Sequence, residues 1–140
     1  MSSARIESRL GEGGAYVDTS AFAKLILDEP ESAAMRALFA RTPLTSSAVL
    51  VTEFLRAVRR ENPQRTDDAI ERLDRVATVA IERDVVMAAG LVGATALGSL
   101  DAIHLVTARM VHPYVSPLIT YDRRLAAVAR AVGLEVASPR

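Results

Sequence analysis

The sequence predicts an α/β fold, a doubly wound parallel sheet with helices on both faces. Short apolar runs recur at Ala15–Asp18, Pro43–Ser46, Val76–Ile81, Pro117–Tyr121 and Leu134–Ala137. Segments with helical periodicity separate them, and strands that alternate with helices pair in parallel. The 140 residues suit one domain, with no internal repeat or low-complexity stretch.

Residues 1–14 end in Gly11-Glu12-Gly13-Gly14 and read as a flexible leader before a domain spanning 15–140. A glycine loop that cradles phosphate follows a strand and opens a helix. This one precedes the strand, so it reads as a tail or linker. After Ala15-Tyr16-Val17-Asp18, Thr19 or Ser20 is placed to cap a helix running to about Asp28. Pro30 suits the first turn of a second helix, with Ala33, Ala34, Ala37, Leu38 and Phe39 on its apolar side. Ser47 to about Glu61 carries a 3.6-residue pattern in Leu50, Phe54, Leu55 and Val58. Pro63 opens the next helix, to Arg75, and the VATVAI run at 76–81 is strand-like. Helices over about 84–96 and 99–111 follow, split by Gly98, with Ser99 as the expected cap. Arg123–Val132 reads as a helix that Gly133 ends.

Composition narrows the chemistry. The absence of cysteine excludes disulfides, thiol catalysis and cysteine-ligated metal sites. Seventeen basic residues balance 17 acidic ones, so no global charge marks the chain for nucleic acid. Aromatics make up only 4%, which points to a core of Leu, Val, Ala and Ile. Residues 1–14 lack the apolar stretch of a secretory signal, and no apolar run approaches the roughly 20 residues of a membrane span. The expected location is the cytoplasm.

Sites in open parallel sheets lie beyond the carboxyl ends of the strands. Two predicted strands end there in an acid, Asp18 and Asp122. Asp101 falls in the first turn of a helix, and Glu53 lies at the border of an apolar stripe beside Val49 and Ala57. Each has an ordinary structural explanation. Asp18 and Asp122 suit helix caps, Asp101 complements a helix dipole, and Glu53 pairs with Arg56 at i+3. Together the four could converge on one cleft, where like charges penalise one another until a divalent cation reverses the penalty. Magnesium or manganese prefers such oxygen ligands, and its waters can attack a phosphodiester.

Other constellations fit less well. His104 and His112 are eight residues apart without an HExxH pattern, which argues against zinc, and His104 is expected to pack or bond at a helix surface. Ser99, Asp101 and His104 share two turns of one helix and lack a nucleophile elbow, so a triad is rejected. No GxxxxGK[ST] loop is present. A receiver-type regulatory domain would need a second acid near the first strand and a lysine beyond its last. Here Thr19 and Ser20 follow Asp18, and Lys24 is the only lysine.

Four segments, YVDTSAFAKL at 16–25, SSAVLVTEFLRAVRR at 46–60, LGSLDAIHLVTA at 97–108 and LITYDRRLAAVARAVGLEV at 118–136, resemble the PIN-domain ribonucleases, specifically the VapC toxins of bacterial toxin–antitoxin pairs. They occur in the family's order and span the chain from Tyr16 onward. The resemblance implies a five-stranded parallel sheet of order 3-2-1-4-5. It also implies that Asp18, Asp101 and Asp122 hold Mg²⁺ or Mn²⁺, with Glu53 as a ligand or acting through a bound water. Thr120 and Ser20, with Thr19 a weaker choice, stand where hydroxyls support the acids or position a water. The implied activity is metal-dependent endoribonucleolytic cleavage that inhibits translation, without the sugar 2′-hydroxyl as nucleophile. The implied partners are RNA, a cognate VapB-like antitoxin and a second copy of the chain, for which an apolar half-composition leaves exposed surface. The leader before Ala15 departs from the family, whose members begin almost directly at the first strand. The alternative is a catalytically silent PIN-fold module acting in a repressor complex. Arg56, Arg59, Arg60, Arg123 and Arg124 closely follow two of the acids and are candidate phosphate contacts, though any one could be an ordinary solvated side chain. Setting the four carboxylates aside leaves a positive remainder.

Overall fold

The structure, a computed structural model, describes residues 14–140. The expected leader thus lies outside the described residues except for Gly14. Chain order is β1 (Ala15–Val17), α1 (Thr19–Ala23), α2 (Ser32–Arg41), β2 (Leu44–Ser47), α3 (Val49–Glu61), a 3₁₀ turn (Pro63–Arg65), α4 (Thr66–Leu73), β3 (Val76–Val79), α5 (Arg83–Gly90), α6 (Ser99–Val111), β4 (Leu118–Ile119), α7 (Arg123–Ala131) and β5 (Val136–Ala137). The five strands form one sheet in the order β3-β2-β1-β4-β5, with every neighbouring pair parallel. This is the expected doubly wound architecture.

Alternation along the central strands sorts the core into two layers. Ala15, Val17 and Ile119 face one layer with α1 to α4, where Phe22, Met35, Leu38, Leu50 and Phe54 are buried. Tyr16, Leu118 and Val136 face the other with α5 to α7, against Leu105, Ala108, Leu125 and Ala129. The first layer is more aromatic than the composition suggests. Phe22 meets Phe54 edge-on at 4.7 Å between ring centroids and Phe39 at 5.9 Å, so all three phenylalanines of the chain form one cluster. Such pairs contribute roughly 0.5–1.5 kcal/mol each beyond their burial.

Several boundaries differ from expectation for local reasons. Helix α1 ends at Ala23, not near Asp28, because its hydrogen bonds tighten to i→i−3 at Leu25 and Ile26. Helix α5 ends at Gly90, not Ala96, because Gly90, Gly93 and Gly98 weaken the segment up to α6 as a helix. Strand β3 stops at Val79. The cap of α1 is Asp18, not Thr19 or Ser20, and that of α6 is Gly98, not Ser99. No described helix is long and apolar enough to cross a membrane.

Candidate active site

Parallel strands deliver their carboxyl ends to one edge of the sheet, and the four acids gather there. Asp18 follows β1 directly, and its side chain caps α1 by accepting from the Ala21 amide at 3.0 Å. Oδ1 also accepts from Ser20 Oγ at 2.7 Å, and Oδ2 from Thr120 Oγ1 at 2.5 Å. Asp18 is 2% exposed. Burial pushes its carboxyl above the usual range, and the three donors only partly offset that. Thr120 sits between two acids, because its hydroxyl oxygen accepts from the Asp122 amide at 3.0 Å while its proton goes to Asp18.

Asp122 caps α7, Oδ1 accepting from the Leu125 amide at 3.0 Å. The structural explanation open for Asp18 and Asp122 therefore holds, and it coexists with their convergence. Asp101 projects from the first turn of α6, and no described residue donates a hydrogen bond to it. Its carboxyl is raised by burial first, then by the charges of Asp122, Asp18 and, more weakly, Glu53. That field puts Asp122, Asp18 and Glu53 within electrostatic reach of Asp101.

Glu53 does not pair with Arg56. Its Oε1 accepts from Thr19 Oγ1 at 2.8 Å and meets His104 Nε2 at 3.0 Å. Burial raises its carboxyl, but the bonds from His104 and Thr19 outweigh it and hold the group below its ordinary value. His104 packs and bonds as expected, but at 1% exposure and not at a helix surface. Its Nδ1 meets the Tyr16 hydroxyl at 2.7 Å. Sequence reasoning missed Tyr16 and His104, although each carried a signal. Tyr16 is two residues before Asp18 on a strand, and His104 is three after Asp101 on a helix, so each shares a face with a candidate acid.

The expected basic residues divide. Arg56, Arg59 and Arg60 are exposed on α3 and line one shallow depression with Leu55. Arg123 lines a small polar pocket beside Thr120 and Asp122. Arg124 is tied to the loop before α6, donating to the Ala96 carbonyl at 3.1 Å.

The donor set suits a hard divalent cation, being carboxylate oxygen in a field of like charge. Asp101 has both oxygens free of protein donors, while Asp122 keeps Oδ2 and Glu53 keeps Oε2. As they stand, the acids are spread around the cleft. Among the described residues, no three His, Asp or Glu side chains close on a common point to hold an ion.

The PIN domain family matches residues 15–131. Among curated relatives, Ribonuclease VapC47 of Mycobacterium tuberculosis is 36% identical over 130 residues, covering 89% of this chain and 96% of its own. Ribonuclease VapC35 of the same species is 40% identical over 133 residues, with the same coverage. Among solved structures, M. tuberculosis VapC20, described as a sarcin–ricin loop cleaving toxin, superposes with a TM-score of 0.69. It covers 87% of this chain and 97% of its own at 19% identity, a likeness of fold. The chain belongs to the PIN domain family and, within it, to the VapC ribonucleases.

Proposed function

We propose that this chain is a cytoplasmic Mg²⁺- or Mn²⁺-dependent endoribonuclease toxin that cleaves RNA, inhibits translation and is silenced by a VapB-like antitoxin. Residues 15–140 form its catalytic PIN domain. The observation that carries the reading is the gathering of Asp18, Glu53, Asp101 and Asp122 at one sheet edge, where burial first and then the charges of the other three acids raise Asp101.

Asp101, Asp122 and Asp18 are the residues that would hold the cation, with Glu53 joining directly or through a water. When bound, the ion supplies Lewis acidity that activates water and offsets charge developing on the phosphoryl oxygens. Ser20, Thr120 and the Ala21 amide fix Asp18 against rotation. They take three of its roughly four lone-pair sites, which leaves one on Oδ2. Glu53 Oε2 would accept a hydrogen bond, and then the proton, from the attacking water, whose oxygen bonds to phosphorus as the opposite phosphorus–oxygen bond breaks and the departing sugar oxygen takes a proton from solvent. Arg56, Arg59, Arg60 and Arg123 grip flanking phosphates, to which a guanidinium fork is matched. Arg124, committed to Ala96, contributes charge more than contact.

The antitoxin and a second copy of the chain are the partners in this reading, and apolar surface is available to them. A groove of about 670 Å³ runs between α5, α6 and α7 past Leu91, Val106, Met110 and Val132. Leu91 is 79% exposed.

The test is cleavage of RNA by the purified protein with Mn²⁺, with excess EDTA, and with Asp18→Asn. We expect cleavage only in the first case, the variant losing about 10²-fold or more, as when one electrostatic group is removed from a preorganised site. Undiminished cleavage in EDTA or by Asp18→Asn overturns the metal mechanism. No cleavage under any condition supports the silent binding module instead.

A further inference from the structure

We propose that Tyr16 and His104 form a buried positioning pair whose task is to orient Glu53, pinning one carboxylate oxygen so that the other faces the cleft. The catalytic consequence rests on the ribonuclease reading above, whereas the geometry does not.

The argument starts at Glu53. Both of its protein partners, Thr19 Oγ1 and His104 Nε2, meet the same atom, Oε1, at 2.8 and 3.0 Å. Glu53 Oε2 has no partner among the described residues. A glutamate that served only to satisfy a buried histidine would have no need of Thr19 on the same oxygen. Two donors on one oxygen fix the rotation of the carboxylate plane as well as its place. The Glu53 side chain is 20% exposed, so its second oxygen can reach solvent and substrate, while His104 is 1% exposed and cannot.

The direction of each bond follows from elementary chemistry. An ionised carboxylate only accepts, so the Nε2 that meets it carries the proton. In a neutral imidazole Nδ1 is then bare and must accept. Its partner at 2.7 Å is the Tyr16 hydroxyl, which therefore donates. Glu53 sets the tautomer, and the Tyr16 hydroxyl, donating to Nδ1, holds the ring so that its Nε2–H stays aimed at Oε1. Rigid elements fix the pair, because Tyr16 stands on the central strand β1, His104 on α6, and the two rings meet edge-on at 5.8 Å. Thr19 lies 3.3 Å from His104 Nε2, which closes the group around a single corner of the site.

The first experiment is nitrogen-15 NMR of the histidine rings in the metal-free protein at one neutral pH. We expect the Nε2–H tautomer with Nδ1 accepting a hydrogen bond, and Tyr16→Phe to move the Nδ1 resonance downfield as that bond is lost. A ring carrying its proton at Nδ1, or an Nδ1 resonance unmoved by Tyr16→Phe, overturns the pair whatever the protein does to RNA. The second is cleavage kinetics. Tyr16→Phe and His104→Leu should lower kcat about 10- to 100-fold, the range for residues that orient others, with KM little changed. His104→Gln, whose amide can still reach Oε1, should recover most of that loss. In a Glu53→Ala background, Tyr16→Phe and His104→Leu should cost nothing further. Equal losses with and without Glu53 would make both residues merely structural and overturn the assignment. Absence of cleavage in the wild type would instead count against the ribonuclease reading, and the NMR result would still decide the positioning pair.

Discussion

Thr120→Val is the sharpest probe of how the site is built, because it preserves shape and removes one hydroxyl. That hydroxyl is fully buried, donates to Asp18 Oδ2 at 2.5 Å and accepts from the Asp122 amide at 3.0 Å. Losing a hydrogen bond to a charged group costs roughly 1.5–3 kcal/mol, and leaving the amide without its acceptor adds about 1. The sum of about 2.5–4 kcal/mol corresponds, for a chain of this size, to a fall in Tm of roughly 10 °C. Urea denaturation of the metal-free protein measures the cost directly. A double-mutant cycle with Asp18→Asn locates it. Against a neutral amide the hydroxyl contributes only about 1 kcal/mol, so Thr120→Val should cost clearly less in that background. If both backgrounds show the same cost, within the roughly 0.3–0.5 kcal/mol expected of independent sites, the Thr120–Asp18 bond is not what stabilises this edge. Thr120→Ser, which keeps the hydroxyl, should lose only about 1 kcal/mol of packing.

Three other outcomes follow from the same geometry. Asp101→Asn removes repulsion and no hydrogen bond, so the metal-free variant should melt no lower than wild type. Mn²⁺ at about 100 times its Kd should stabilise the wild type by roughly 2.7 kcal/mol and this variant hardly at all, as read by thermal shift. Replacing Arg56, Arg59 and Arg60 with Gln should flatten the salt dependence of binding to single-stranded RNA, by roughly 0.7 logarithmic units for each phosphate no longer neutralised. Lys24→Met should destabilise by about 2 kcal/mol, because it removes a buried ammonium bonded to Glu29 and Glu31 at 2.8 and 2.9 Å and leaves Glu31 with Arg140 alone. Burial alone would lower the pKa of Lys24, but those two carboxylates raise it above 10.5. Its contribution is thus complete below that value and lost only as pH climbs through the higher folded one. The gap between variant and wild type should therefore stay constant across the neutral range.

The sheet was legible in the sequence because each strand is a short apolar run set between helical periods. Helix ends were less so. Nothing in the residues after Ala23 announces that the turn tightens, since the buried Lys24 and its pairing with Glu29 and Glu31 arise only once the chain has folded. The acids were legible as strand-end and helix-start residues, and Glu53 as a border position. Their hydrogen-bond partners were not, because Thr120 lies 102 residues from Asp18, and His104 lies 51 from Glu53. His104 was misplaced for a specific reason. Polarity argues for the surface when a residue is weighed alone, whereas a buried imidazole with a partner on each nitrogen has no polar cost left to avoid.

The zero net charge of the chain takes its meaning from this division of labour. Along the site, protein donors claim carboxylate oxygens unevenly. Asp18 is tied at both oxygens, Glu53 and Asp122 at one each, and Asp101 at neither. Most of the carboxylates therefore keep oxygens that nothing in the described chain satisfies, at the one edge where the parallel strands end. A fold selected for stability alone would not gather like charges there, since each raises the proton affinity of its neighbours. Meanwhile Arg56, Arg59 and Arg60 stand exposed further along the same helix as Glu53, without drawing Glu53 into a pair. Neutral overall, the chain sets four of its carboxylates at one sheet edge, three of them with an oxygen that no described residue satisfies, and exposes Arg56, Arg59 and Arg60 further along the helix that carries Glu53. That distribution suits a polyanion brought to a cation, and the total charge conceals it.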